Sequence, residues 1–498
     1  MAPSCHGSLG GWSVLTVLDV GADAKVPEAL CYSPGVTSAS SAVSAAPAAR
    51  DKALVQAIGL PTAILFVIGS VVGSGIFMTT GIMADALPST TLLLVAWTAG
   101  GLLALAGGLT YAEMGAMFPR SGGVYVFLRE AWGPLVGFLY GWAALLVVVS
   151  GGIAAVSVGF GEWVGYFIPS WSSSRILGSA TIAGLNWTIT AAQITGVVAI
   201  AILGTINYVG VRSGNMVNAV MTAAKVSGLA MLPLLALAVQ RVEPAFTPVV
   251  PDIPRPAAAF GVAMIAVLWT YEAWYFVTYA AGEIKDPRRN LPRALLYGIL
   301  ALTTIYLSVN LAYFYSLRLD EMRGVVRIAQ HAATALVGDG GATFIAMTVV
   351  ISTFGCNAAA ILAGSRLLYA MSQDGLFFRV TGLVHPRYRT PHVAIVAVTL
   401  WSIVLTLSGR YDQLFTYVMF ASILFSVAGG LALFRLRFTR PDTPRPYRAW
   451  GYPVVPALFI AGGIAFVLNT LLERPGESLT GLGLLALGLP AYWYWSKG

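Results

Sequence analysis

The chain has 498 residues, of which 57% are hydrophobic and only 10% charged, with a net charge of +8. A soluble domain carries roughly a quarter charged residues, so this composition excludes a set of water-soluble domains and describes a polytopic membrane protein. The positive balance requires no nucleic-acid partner, because cytoplasmic loops of membrane proteins are rich in Lys and Arg. Three cysteines (Cys5, Cys31, Cys356) with no CxxC give neither a disulfide framework nor a zinc site.

Residues 1–54 are expected to be a disordered cytoplasmic tail, or to follow from an upstream start codon that is never used. The stretch "VTSASSAVSAAPAA" (36–49) is low in complexity, and "GWSVLTVLDV" lacks the basic region that would precede it in a signal peptide. Residues 55–498 then form one transmembrane domain. A helix needs about 20 mostly apolar residues to cross the hydrocarbon. Such runs lie near 59–83, 90–118, 133–166, 188–209, 214–239, 259–283, 292–317, 340–371, 391–408, 412–435, 452–470 and 477–495. With twelve spans and both termini cytoplasmic, nineteen Lys and Arg residues fall on inner loops and eight on outer ones. Lys25 in the tail and Lys225 within a span complete the 29. That imbalance satisfies the positive-inside rule, and losing one span would largely erase it.

In the first span, "IGSVVGSGIF" (68–77) puts three glycines and two serines near mid-membrane. Gly costs about 1 kcal/mol against Ala in a helix, and lipid tolerates a broken helix only where protein or a cavity surrounds it. Two readings stand side by side. Gly69, Gly73 and Gly75 either mark a discontinuous helix whose freed N–H and C=O groups suit the two ends of a zwitterion, or allow close small-xxx-small packing. Lys225, in the fifth span, lies eleven residues past Gly214, roughly 16 Å along a helix. A charge near the midplane needs an ionic or proton-linked task, or a structural tether. In the sixth span "VLWTYEAWYFVTYAAGE" (267–283) places Glu272 among aromatics, either lining a pocket or satisfied by neighbouring backbone. Interruptions at corresponding positions of two repeats point to a transporter site, and spans one and six are five apart.

Other motifs carry nothing. "GLGLLA" (481–486) lies in an apolar span with no strand before it, which the dinucleotide fingerprint requires. GxxxxGK[ST] is absent, and His6, His331, His385 and His392 have no metal-ligand spacing. No cofactor and no metal are expected, and no nucleophile is assembled, so the chain does not read as an enzyme.

The pattern resembles the amino acid–polyamine–organocation (APC) superfamily of permeases, and within it the L-type amino acid transporter (LAT) family. "VIGSVVGSGIF" (67–77) is similar to the family's unwound first helix. "YAEMGAMFPRSGGVYVFLREAWGPLVGFLYGW" (111–142) is similar to the end of its second helix, first inner loop and third helix. "EIKDPRRNLPRAL" (283–295) and "STFGCNAAAILAGSRLLYAMSQDGLF" (352–377) match the loop after helix six and helix eight. The resemblance covers about 55–495. It implies an all-α fold of 12 transmembrane helices, a LeuT-like 5+5 inverted repeat with two C-terminal helices appended, and amino acid transport by alternating access. Ser70, Gly73, Ser74 and Gly75 fall on the substrate-binding break. Trp269, Tyr271 and Trp274 fall on the sixth-helix segment that holds a gating aromatic, unless they are ordinary packing. Lys225 falls on a lysine whose ammonium stands where sodium-coupled relatives bind sodium, which implies sodium-independent exchange or proton coupling. Glu272-Ala273 departs from the small residues usual there, and favours cationic side chains or adds proton coupling. The loop "FIPSWSSSRILGSATIAGLN" (167–186) has no cysteine where animal members attach a heavy-chain glycoprotein, so no such disulfide-linked partner is expected. Glu113, Arg129, Glu283 and Arg366 sit at inner span ends as gate or loop anchors, or on a solvated face. Polyamine transport, and a membrane amino-acid receptor without turnover, are the rival readings.

Overall fold

Within a bilayer a segment must satisfy its own backbone, so apolar runs of this length become helices. The computed structural model describes residues 56–182, 185–244, 246, 255–409 and 411–496, and the expected tail, 1–54, lies outside them. In chain order the helices are α1 (Leu60–Val71), α2 (Gly75–Ala86), α3 (Thr90–Met117), α4 (Val124–Trp132), α5 (Pro134–Ala143), α6 (Val149–Phe167), α7 (Ala191–Val209), α8 (Val211–Val239) and α9 (Pro256–Tyr271). They continue as α10 (Pro287–Ser316), α11 (Leu319–Met322), α12 (Ile328–Val337), α13 (Asp339–Gln373), α14 (His392–Ser408), α15 (Tyr411–Thr439), α16 (Val454–Glu473), α17 (Pro475–Ala486) and α18 (Gly488–Ser496). The protein is an all-α polytopic membrane protein with, among the described residues, one small hairpin.

Among the described residues, ten helical stretches are long and apolar enough to cross a membrane. Helix α14 covers the expected 391–408 with 17 residues, about 26 Å at the helical rise. One region differs from the expected continuous spans. The final run is split at Leu487 into α17 and α18, because Pro490 has no N–H to return to the carbonyl of Ala486. The expected loop after the third span instead forms an antiparallel hairpin of β1 (Ile176–Ile182) and β2 (Leu185–Thr190). Trp187, on β2, donates through Nε1 to Leu407 O at 2.8 Å.

Three interruptions shape the interior. The first span stops at Val71 and restarts at Gly75. The sixth ends its α-helical part at Tyr271, passes through extended Glu272 and left-handed Ala273 (φ 73°), and resumes as a 3-10 helix from Trp274 to Glu283. Between α5 and α6 lies a π turn, Ala144–Val148, a feature common at functional sites. Helix α2 approaches α9 closely: a Cβ on Gly75 would sit 2.5 Å from Thr270 Oγ1, while Thr79 and Thr270 hydroxyls are 3.2 Å apart. The two interruptions therefore face one another.

Candidate substrate-binding site

Unwinding a helix in the membrane leaves carbonyls that water cannot reach. Each carbonyl from Gly69 to Gly73 is met by a side-chain donor from another helix. Lys225 Nζ on α8 donates to Gly69 O at 2.6 Å and to Val72 O at 2.7 Å. Cys356 Sγ on α13 donates to Ser70 O at 3.0 Å, and the Tyr306 hydroxyl on α10 to Val71 O at 3.3 Å. Ser352 Oγ lies 2.9 Å from Val72 O and 3.2 Å from Gly73 O. Lys225 is fully buried, and among the described residues no carboxylate pairs with it. Its ammonium instead meets the negative end of the α1 dipole.

The other side of the break is left open. The N-terminus of α2 carries no side-chain cap, and Ser74 and Gly75 line a cavity of about 50 Å³ between the two interruptions. A helix N-terminus facing a cavity suits an anionic group. Ser70 and Gly73 complete that wall, and the sixth span contributes Trp269, Glu272 and Phe276. Glu272 Oε1 accepts from the Tyr275 hydroxyl at 2.6 Å and from Ser422 Oγ on α15. One carboxylate oxygen is thus held while the side chain borders the cavity.

Six of the eight expected substrate-binding residues line this cavity: Ser70, Gly73, Ser74, Gly75, Trp269 and Glu272. Tyr271 and Trp274 do not. The Tyr271 ring packs on Tyr306 at 5.1 Å and Trp97 at 6.0 Å, its hydroxyl donating to Trp97 O. Trp274 packs on Tyr111 at 5.1 Å and Phe459 at 6.4 Å. The reason is the turn at Glu272–Ala273, which directs Tyr271 and Trp274 away from the cavity and brings Phe276 in. Lys225 lies behind the wall, against the α1 carbonyls. Asn357 was missed. It lines the cavity and is buried, its Nδ2 donates to Ser157 Oγ at 2.7 Å, and its Oδ1 has no partner. A polar Cys-Asn pair inside an otherwise small and apolar helical stretch was the available signal.

Beyond the cavity, on the face where α1 begins, the route is shut. Arg366 and Glu283, each only 1% exposed, form a two-pronged pair with Nε–Oε1 at 2.7 Å and Nη2–Oε2 at 3.4 Å. The hydroxyls of Tyr140 and Tyr279 touch, and Arg129 and Tyr125 both reach Asp374. Gly122 donates its N–H to Tyr279 O, and Gly123 takes φ 50°, where a Cβ would lie 2.2 Å from the Tyr279 ring. The Pro-x-Ser-Gly-Gly loop is therefore seated on the sixth span. Glu113 does not join this group. It pairs with Arg437 at 2.6 Å and Arg445 at 3.3 Å, tying α3 to α15 and the loop after it.

Residues 58–481 match the amino acid permease family. The chain belongs to that family. As an APC permease close to the LAT family, it is an amino acid transporter of the membrane and not an enzyme. Over 458 residues this permease is 32% identical to the serine/threonine exchanger SteT of Bacillus subtilis (strain 168), covering 90% of this chain and 98% of the relative. It is 28% identical to the human b(0,+)-type amino acid transporter 1 over 434 residues, 86% of this chain and 85% of the relative. It is 29% identical to the mouse large neutral amino acids transporter small subunit 2 over 465 residues, 89% and 82% of the two chains.

Proposed function

We propose that this permease is a sodium-independent secondary transporter, an exchanger or proton-coupled symporter, that moves amino acids by alternating access. The observation that carries the reading is the paired interruption: the α1 carbonyls held by Lys225, the uncapped start of α2, and the sixth-span break opposite, all around one cavity. In this reading the amino acid carboxylate lies at Ser74 and Gly75, and its ammonium beside Asn357 Oδ1 and the Glu272 carboxylate. Lys225 makes a bound sodium ion redundant there, because two cations on the same carbonyls repel. Twelve spans in a LeuT-like 5+5 inverted repeat plus two helices, with both termini cytoplasmic, accommodate the breaks and the basic loops. The small cavity suits a small side chain, as in the exchange of serine and threonine for which one relative is named.

A cationic substrate is the second reading, favoured by Glu272, whose carboxylate borders a cavity that holds no fixed cation. The hairpin loop supplies no cysteine, so the transporter works without a disulfide-linked heavy chain. The test is uptake of radiolabelled L-serine and L-arginine into proteoliposomes, with the other amino acids and putrescine as unlabelled competitors and with sodium or proton gradients imposed in turn. Uptake that ignores sodium and is competed by a subset of amino acids is expected. Binding without flux would make the protein a receptor instead.

A further inference from the structure

A second, larger cavity of about 730 Å³ lies along the same helices as the central one. Helix α2 borders the central cavity at Gly75 and the larger one at Met78 and Ile82, and helix α6 borders the first at Val156 and the second at Val158, Gly159 and Glu162. From Val156 to Glu162 is about 9 Å of helix, toward the hairpin face and away from the Arg366–Glu283 closure. Helix α12 forms the opposite wall with Arg327, Gln330 and His331. The size falls within the roughly 300–1,000 Å³ usual for small-molecule sites, whereas the central cavity has space for only a few waters.

The polar groups on these walls are incompletely used. Glu162 Oε2 accepts from the Ser173 N–H at 3.2 Å and its hydroxyl at 2.5 Å, and no hydrogen bond falls on Oε1 among the described residues. Gln330 Oε1 is buried without a partner. No carboxylate pairs with Arg327 among the described residues, and it stands as N-cap of the ten-residue α12 without a side-chain cap bond. The cavity thus presents one guanidinium beside a helix N-terminus, with one orphan amide oxygen on the same helix, and across it one carboxylate. Fixed positive and negative charge on opposing walls match the two ends of a zwitterion.

We propose that this cavity is a second binding site for a free amino acid, filled from the hairpin face before transfer to the central site, with Arg327 taking the carboxylate and Glu162 taking the ammonium. The proposal rests on the amino acid transport reading above. A closed central cavity makes such a staging site useful, because substrate is concentrated beside the opening before the helices part.

The test uses the full chain with radiolabelled L-serine and L-arginine as probes. In detergent, the wild type is expected to bind two molecules of the transported probe per chain, and Arg327→Ala and Glu162→Gln one each. In proteoliposomes the half-saturating concentration at the hairpin face should rise about fivefold or more in both variants, a loss the size of one charge-assisted contact, with that at the opposite face unchanged. Arg327→Lys, which keeps the charge, should recover part of the loss and guards against misfolding of the alanine variant. One bound probe per wild-type chain, or equal half-saturation in wild type and variants, overturns the staging site while leaving transport intact. A wild type that carries neither probe nor any competing amino acid overturns the functional reading itself.

Discussion

Lys225 Nζ and the carbonyl oxygen of Gly69 lie 2.6 Å apart across 156 residues of chain. The contact makes a buried cation and a broken helix into one unit, since each would be costly without the other. Lys225→Ala removes the side-chain donor of Gly69 O, at about 1–3 kcal/mol for a carbonyl left unpaired, and leaves Val72 O with Ser352 alone. Uptake should fall below about a tenth of wild type, with a lower unfolding temperature in detergent. Near-wild-type uptake would remove Lys225 from the mechanism.

Gly75 is confined by Thr270. Gly75→Ala places a methyl against Thr270 Oγ1 and should cost about 1–3 kcal/mol as overpacking, with impaired uptake. Combining it with Thr270→Ala removes the nearest atom and should recover part of the loss. A double variant no better than the single one would show that the damage arises elsewhere.

The Arg366–Glu283 pair is fully enclosed. Arg366→Ala strands a carboxylate and should destabilise the protein by about 3–5 kcal/mol, whereas replacing both partners by methionine should be much milder. Thermal unfolding of the two single variants and the double one gives the coupling directly, and additive losses would show that the pair acts as two separate groups.

Glu272→Gln keeps the shape that accepts Tyr275 and Ser422 but removes the charge. Competition by L-arginine should weaken about tenfold relative to L-serine, the scale of one charged hydrogen bond. An unchanged ratio assigns side-chain selection to other residues.

Much of this arrangement was legible because lipid makes backbone rules strict. Gly73 and Gly75 in a membrane-length run announced the first interruption, and Lys225 at mid-depth announced a partner that could not be water. The second interruption was legible only through the five-span spacing from the first, because the left-handed turn that creates it takes an alanine, Ala273, where glycine is the usual choice. That turn is why Tyr271 and Trp274, placed on the sixth-helix segment by the resemblance with ordinary packing as the alternative, pack away from the cavity. The hairpin at Ile176–Thr190 was read as loop because its alternation is weak and it follows a serine run. Asn357 was passed over because nothing in a single sequence shows that one of its amide atoms lacks a partner.

Removing residues 1–50 should leave proteoliposome uptake unchanged. That segment has no apolar periodicity to contribute to the transmembrane domain, and a loss of uptake would give the tail a task its composition does not declare.

The wide turn at Ala144–Val148 has a consequence for both cavities. A π turn accommodates one residue more than an α turn, and one residue amounts to about 100° of rotation. Val149, Gly152, Ile153 and Val156 border the small cavity, and Gly159 and Glu162 the large one, so a single stripe of α6 serves them together. Deleting one residue from the wide turn would swing that stripe toward the lipid, presenting a carboxylate to hydrocarbon and stripping both chambers of a shared wall at a stroke.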